Sequence, residues 1–225
     1  MGTTIALTVL EHIPSLSFFQ LAKGCDLLLL RDDFYYRHHF YHNRTRIVTK
    51  WGPKWIEVGV VVPQLNTPIN QIKTSGNWKV AYRKHIARAY SNHPFYAQQM
   101  PLINKVLDLQ SVKLGDYNYY FMKQIAKWLQ LPFQVKRITG TPDVDIADRG
   151  FPLNWVLSYY NGSRVKLNLR DVRYVKLSPE IELESVTPTE VCYSQMGHAT
   201  FIPNVSIMDA LMNLGSKQTR KLIVK

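Results

Sequence analysis

Apolar residues open the chain as a block. Residues 3–10, TTIALTVL, are β-branched and apolar throughout, the pattern of a strand buried on both faces. Glu11-His12-Ile13-Pro14 interrupts it as a turn, and residues 15–23, SLSFFQLAK, predict a short helix with Ser15 as N-cap and Gly24 as its stop. A second apolar strand, CDLLLLRDD, follows. Strand, short helix and strand in that order predict a βαβ unit with parallel pairing. Ligands of such sheets bind beyond the carboxyl ends of the strands. That rule brings His12 and the Arg31-Asp32-Asp33 group to one edge of the sheet.

The pattern then changes. RTRIVT (44–49) and KWIEVGVVV (54–62) read as two strands joined by Lys50-Trp51-Gly52-Pro53, a hairpin signal. Trp78, Tyr82, His85, Ile86 and Ala89 recur at helical spacing over residues 77–91. Pro94 ends that helix and opens another through about Asp108, and a third runs over about 115–130. QVKRI (134–138), RVKLNL (164–169) and VRYVKL (172–177) read as short strands, the Glu-rich stretch 180–190 as a surface loop, and 205–214 as a final helix. Residues 139–152 are the most loop-like stretch and the candidate flexible segment. The expected fold is a single α/β domain over 1–225. It has three layers and a mainly parallel sheet, with an N-terminal βαβ unit, a β-hairpin insertion and a helical middle.

Composition removes several classes. At 46% hydrophobic and 20% charged residues the chain reads as globular rather than disordered. No apolar run approaches the roughly 18 residues of a membrane span, and Glu11, His12 and Pro14 interrupt the only signal-peptide candidate. The two cysteines, Cys25 and Cys192, read as reduced thiols of a cytoplasmic protein. No GxSxG elbow, Walker loop, CxxC pair or HExxH occurs, so hydrolase, P-loop and zinc-protease chemistry lack a signature.

Charge adds the sharpest signal. Of the net +12, residues 34–106 contribute +10: eleven Lys and Arg against Glu57 alone. Such asymmetry points either to an anionic partner, a phosphorylated small molecule or a nucleic-acid backbone, or to a solvated basic face. Aromatics interleaved with the cations (Tyr35, Tyr36, Phe40, Tyr41, Trp51, Trp55, Trp78) favour binding. Arg44 and Arg46 share one face of an extended segment, with Asn43 on the other, and two guanidinium groups on one face can grip phosphate oxygens. Lys84 and His85 follow Trp78 on a helix, with Arg88 one turn beyond Lys84, as further anion contacts. Asp32 and Asp33 offer a general base or, across a bend, a divalent-cation site; the other reading pairs them with nearby arginines. His12 reads either as a phosphate contact beside a helix N-terminus or as a satisfied turn histidine. His38 and His42, four apart in a strand-like setting, lack an evident third metal ligand, and Asp143-Val144-Asp145 reads either as a DxD metal pair or as turn chemistry. Ser206 reads as the N-cap of the last helix with Asp209 at the capping-box position.

The stretch HIPSLSFFQLAKGCDLLLLRDDFYYRHHFYHNRTRI resembles the opening of the WbqC-like protein family. A His-Gln-Pro turn, an aromatic helix, an Asp-led strand, an Asp-Asp pair and an Asn-Arg-x-Arg/Lys-Ile run characterise that opening. Here His12, Pro14, Asp26, Asp32, Asp33, Asn43, Arg44 and Ile47 match, with Ile13 in place of the Gln. Lys54-Trp55-Ile56, then Trp78, Lys84, His85, Tyr90, Pro94 and Tyr96, continue the likeness, and Tyr193-Ser194-Gln195 with FIPNVSIMDALMNLG resembles the family's closing pattern. The family's Ser-Gly-Pro-Gly segment, expected around 145–175, is absent or rewritten, so the acceptor here is expected to differ if that segment holds substrate. The resemblance implies a transferase associated with surface-polysaccharide synthesis and the decoration of amino sugars. His12, Asp32, Asp33 and His85 are then the catalytic candidates, and Asn43, Arg44, Arg46, Trp78, Lys84, Arg88 and Gln195 the substrate-binding ones. The expected reaction joins an amine or aminoacyl group to an activated phosphate-bearing substrate such as a nucleotide-linked amino sugar. Two alternatives stay open: an enzyme directed at nucleic acid, modifying a DNA base or using charged tRNA, and a non-enzymatic nucleic-acid binder on a decayed enzyme fold. In either enzymatic form, the first crossover and the basic segment are expected to converge on one anion-holding cleft.

Overall fold

The apolar blocks at 3–10 and 25–33 form the centre of a sheet. In the computed structural model, which describes residues 2–140, 157–168, 179, 181–187 and 189–224, strands β1 (Thr3–Val9) and β2 (Leu27–Arg31) pair in parallel, with Leu7 opposite Leu29. The short helix α1 (Leu16–Gln20) crosses between them and buries Phe18 and Phe19. Side chains alternate across the sheet, and both faces are covered, which is why these strands read as unbroken apolar runs. Ala6, Leu28 and Leu30 enter the main core, while Ile5, Leu7, Leu27 and Leu29 meet Val165, Leu167 and Leu157 on the other face.

Strand β7 (Gln134–Arg137) extends the sheet beyond β2, and β8 (Gly162–Asn168) with β9 (Glu182–Val186) extends it on the far side of β1. The order is β7-β2-β1-β8-β9, all pairs parallel, flanked by helices in the expected three-layer α/β arrangement. The chain builds outward from β1 in one direction and then restarts from β1 in the other. The topological switch point therefore lies between β1 and β8.

The hairpin β3 (Arg44–Thr49) and β4 (Gly52–Glu57) stands apart from this sheet and packs on helix α2 (Trp78–Tyr90), where Val48 N–H donates to the Tyr90 hydroxyl at 3.0 Å. Helices α3 (Tyr96–Leu107) and α4 (Leu114–Trp128) complete the helical middle.

Four expectations need correction. The Glu-rich stretch 180–190 is not a loop: it holds edge strand β9, whose Glu182 and Glu184 lie opposite Arg164 and Lys166 of β8 and pair with them at 2.9 and 3.6 Å. The stretch 54–62 is not one strand. It breaks after Glu57, where Val58 N–H donates to Asn43 O, and Val60–Val61 pairs as β5 with β6 (Lys73–Thr74). The last helix does not stop near 214 but continues as α5 (Ile207–Val224) through a kink. His38 and His42 lie in turns rather than a strand, and His42 is buried, accepting from Arg37 N–H through Nδ1. The VRYVKL segment and Asp143-Val144-Asp145 lie outside the described residues, as does 141–152 of the loop-like stretch; Ile138–Gly140 is a 3-10 turn. No helix among the described residues is long and apolar enough to cross a membrane.

The kink in α5 rests on Gly215, which has φ +71°, and a Cβ built there would sit 2.7 Å from the Phe95 ring. Gly215→Ala is accordingly expected to cost about 2 kcal/mol, from the left-handed backbone and the clash together. An unchanged thermal midpoint would contradict this account of the kink.

Candidate functional site

Beyond the carboxyl ends of β1 and β8 lies a cavity of about 210 Å³. Thr8 comes from the end of β1, Asn168 from the end of β8 and Thr187 from just past β9. Glu11, Ser15 and Ser17 come from the turn after β1 and the start of α1, with Phe18 and Leu21 as apolar floor; Tyr41 and Asn204 close the remaining sides. This is the position that open parallel sheets use for ligands, the crevice at the switch point.

The turn that lines it is tightly held. Ile13 has φ +43°, a left-handed conformation rare for a β-branched residue. Around it, His12 N–H donates to Tyr41 O at 2.6 Å, the Thr45 hydroxyl to Ile13 O at 2.7 Å, and Ile207 N–H to Pro14 O at 2.8 Å. Backbone strain persists where the surroundings over-determine it, and such places cluster at functional sites.

The two side chains before Ile13 diverge. Glu11 lines the cavity, whereas the His12 imidazole turns into the interior and is 3% exposed. There Asn118 donates an amide N–H to His42 O (2.8 Å), which aims its Oδ1 at His12 Nδ1 (2.7 Å). Nδ1 therefore carries the proton, and Nε2 accepts from the Tyr82 hydroxyl at 2.9 Å. Burial holds His12 down to about 4, against a smaller upward pull from Asn118, so it is neutral at pH 7. Its chemistry is that of a satisfied strut between the turn, α2 and α4.

Asp32 and Asp33 also part company. Asp32 is fully buried and accepts from Thr139 N–H (3.1 Å) and the Thr139 hydroxyl, with Arg137 Nε at 3.8 Å. Burial raises its carboxyl above the usual range, offset in part by Thr139 and Arg137. Asp33 takes a two-pronged grip from Arg31, Nε to Oδ1 at 3.2 Å and Nη2 to Oδ2 at 2.6 Å. The pair thus faces different partners and presents no shared cation site. Among the described residues no group of three or more His, Cys, Asp and Glu is arranged to hold a metal ion.

The basic segment divides between two surfaces. Arg44 stacks over the Trp55 ring at 4.3 Å and Arg46 at 5.7 Å, and Trp55 in turn meets Tyr41 of the cavity wall at 5.3 Å. Arg46 donates to Pro203 O at 3.5 Å, next to the lining residue Asn204. Arg44 is steadied by the His39 carbonyl and by Glu57 at 3.8 Å. These two arginines form a cationic rim around Trp55, one side chain removed from the cavity wall. Lys84, His85 and Arg88 instead lie on α2, where the His85 ring nitrogen accepts from Lys54 Nζ at 3.2 Å. Burial, with Lys54 and Arg88 nearby, lowers the pKa of His85.

Three expected substrate contacts prove to be internal. Trp78 packs edge-on against Tyr82 and Tyr117, and Asn43 donates to Val58 O at 2.9 Å. Gln195 is buried, donating to Asp209 and to Ile202 O while accepting from Ile202 N–H. His12, Asp33, Arg44 and His85 therefore hold different side-chain partners (Tyr82 and Asn118, Arg31, Trp55 and Glu57, and Lys54), and the His12 imidazole turns into the interior rather than toward a cleft shared with the others. Glu11, which the sequence reading left as part of a turn, is the acidic group that the described cavity wall presents.

The comparisons agree with this architecture at the level of family. The chain is 25% identical over 147 residues to Rv1507c of Mycobacterium tuberculosis (strain ATCC 25618 / H37Rv), a protein described as uncharacterized; the match covers 64% of this chain and 62% of that protein's length. No solved structure matches. The family model of the WbqC-like proteins matches residues 11–221, from the cavity's Glu11 to the last turns of α5, and the chain belongs to the WbqC-like protein family.

Proposed function

We propose that this WbqC-like protein is a transferase that joins an amine or aminoacyl group to an activated, phosphate-bearing substrate, such as a nucleotide-linked amino sugar, at the switch-point cavity. The observation that carries the reading is the rim: two guanidinium groups stacked on Trp55, one of them anchored beside the cavity wall. Arg46, over the Trp55 ring with one N–H on Pro203 O, has its other N–H groups to offer to phosphate oxygens, while Arg44 adds positive charge beside it with its outer nitrogens held by His39 and Glu57. Catalysis there consists of positioning and charge neutralisation.

Isothermal titration with a nucleoside diphosphate sugar tests it. Hydrogen bonds to charged groups contribute about 1.5–3 kcal/mol each, so Arg44→Ala and Arg46→Ala are each expected to weaken binding by roughly tenfold or more. Binding that ignores both substitutions but falls on Lys84→Ala would move the phosphate to α2. Undetectable binding at millimolar ligand would overturn the reading.

A second reading draws on the hairpin tip, where Lys50 lies over the Trp51 ring at 4.6 Å and Trp51 is 86% exposed. An exposed aromatic beside cations is a stacking platform for single-stranded nucleic acid. Under that reading affinity for an oligonucleotide falls steeply with salt and drops on Trp51→Ala; salt-insensitive or undetectable binding would exclude it.

A further inference from the structure

Helix α2 carries four cations and no acid, and the cations divide into two pairs. Lys79 donates to Leu109 O at 3.0 Å, and Arg83 to Asn104 Oδ1 at 3.2 Å and to Asp108, so both are tied to α3 and the residues after it. Lys84 and Arg88 are exposed, one turn apart, and continue a stripe that begins with the half-exposed Val80. The hairpin adds Lys54, whose Nζ lies 3.2 Å from the His85 ring, and Lys50 at the tip, both exposed. None of Lys50, Lys54, Lys84 and Arg88 lies within ion-pair distance of a carboxylate among the described residues. Like charges one helical turn apart repel, so this face concentrates positive charge that the described fold does not neutralise.

Helix and hairpin are locked to each other. Lys54 meets His85, and Val48, which pairs with Pro53 one step nearer the tip, meets Tyr90. The hairpin therefore runs toward its tip alongside the carboxyl end of α2. That tip is braced: the Thr49 hydroxyl donates to Gly52 O at 2.8 Å and accepts from Trp51 N–H at 3.2 Å, while His198 Nε2 donates to Thr49 O at 2.9 Å. The braced turn holds the Trp51 indole out in water, with Lys50 beside it. Most tryptophans find burial within their own fold.

We infer that this face docks on an anionic phospholipid bilayer, with Trp51 set among the headgroups and Lys50, Lys54, Lys84 and Arg88 over their phosphates. Indole suits the boundary between headgroup and hydrocarbon, being apolar in body with one N–H for the wet side. Lysine ammonium groups act as point charges, which fluid headgroups can rearrange to meet. The tip is shared with the single-strand reading above, and the rest of the face separates the two. A single strand stacks successive bases on successive rings, whereas this face offers one exposed tryptophan and no second large exposed ring among its described residues. Trp55 lies on the hairpin's other side with its cross-strand partner Arg46, because side chains alternate along a strand. The Arg44 and Arg46 rim is thus no part of the docking face.

Sedimentation of the full chain with vesicles of phosphatidylcholine alone, and of an equal mixture with phosphatidylglycerol, tests the inference. The protein is expected to bind the anionic vesicles, to leave them as salt rises, and to ignore the neutral ones. Lys54→Ala, Lys84→Ala and Arg88→Ala are each expected to weaken binding by about fivefold. Trp51→Phe is expected to abolish a blue shift of tryptophan emission that the anionic vesicles produce. Trp51, Lys54, Lys84 and Arg88 are all exposed, so these variants are expected to keep the native fold. Arg46→Ala, on the other side of the hairpin, is expected to change binding by less than any of the three. No binding to anionic vesicles at low salt, equal binding to both kinds, or a blue shift that persists in Trp51→Phe overturns the inference. A loss in Arg46→Ala as large as in Lys84→Ala also overturns it, because attraction would then follow total charge. Tighter binding of a single-stranded oligonucleotide at equal phosphate concentration, weakened by the same substitutions, overturns it too and gives the face to nucleic acid.

Discussion

His12→Ala is expected to destabilise the protein by about 4 kcal/mol while leaving phosphate affinity of the folded fraction unchanged. The imidazole bridges Tyr82 and Asn118 in a fully enclosed site. Its removal strands a hydroxyl and an amide oxygen, each costing about 1–3 kcal/mol, and leaves a hole besides. Urea denaturation measures the loss. Tyr82→Phe in the same chain should recover part of it, since the stranded hydroxyl is then gone, so the double variant should lose about 1 kcal/mol less than the two single losses combined. Full additivity would mean that the Tyr82–His12 bond contributes nothing.

The same residue gives the protein an acid limit. In the unfolded chain histidine titrates near 6.5, whereas His12 in the fold is held down to about 4 by burial. The folded state thus binds fewer protons between these values. Its stability from this group is complete above pH 6.5 and is lost as pH falls through about 4, by about 3 kcal/mol in all. A stability curve flat between pH 7 and 4 would contradict the assignment, as would an equally steep curve for His12→Gln.

The central sheet was legible because burial on both faces forces apolar residues at every position, and TTIALTVL and CDLLLLRDD carry no competing pattern. Strand β9 was not, because an edge strand needs no apolar run: Glu182 and Glu184 face Arg164 and Lys166 across a separation of 18 residues, a pairing no local window contains. Gly59, two residues past β4, likewise answers to a distant partner, since a Cβ there would meet Ser75 O at 2.6 Å. At the site, sequence located the turn after β1, which lines the cavity, and the Arg44–Arg46 face, which reaches the wall through Trp55 and Pro203. It could not say which of Glu11 and His12 faces the cavity. That choice depends on Tyr82 and Asn118, residues 70 and 106 positions away. Histidine invites a catalytic reading by its chemistry, and here the neighbouring carboxylate holds the cavity.

Asp209→Ala is expected to cost about 3 kcal/mol and to weaken phosphate binding at a distance. The residue is fully buried at the start of α5, with Oδ2 accepting from the Tyr193 hydroxyl at 2.8 Å and Gln195 Nε2 at 2.9 Å, so it is not the capping-box residue its spacing after Ser206 predicted. Alanine leaves both donors stranded, each at about 1–3 kcal/mol. Gln195 in turn clamps Ile202 through both its N–H and its carbonyl, and the next residues are Pro203, which accepts from Arg46, and Asn204 in the cavity wall. The carboxylate therefore holds the rim in place two steps removed. Asp209→Asn separates charge from shape. Burial raises the Asp209 carboxyl above its ordinary value, outweighing the bonds from Tyr193 and Gln195. A raised folded value means that the stability this group contributes is complete below the unfolded pKa of about 3.9 and is lost as pH rises through the folded value. The asparagine variant carries no such loss. Its stability relative to the native protein should improve as pH rises from about 3.9 toward neutrality in parallel urea titrations, with Arg46-dependent phosphate binding retained. A variant that falls further behind at pH 8 would show that the ionised carboxylate, with its two donors, is the form the fold is built around.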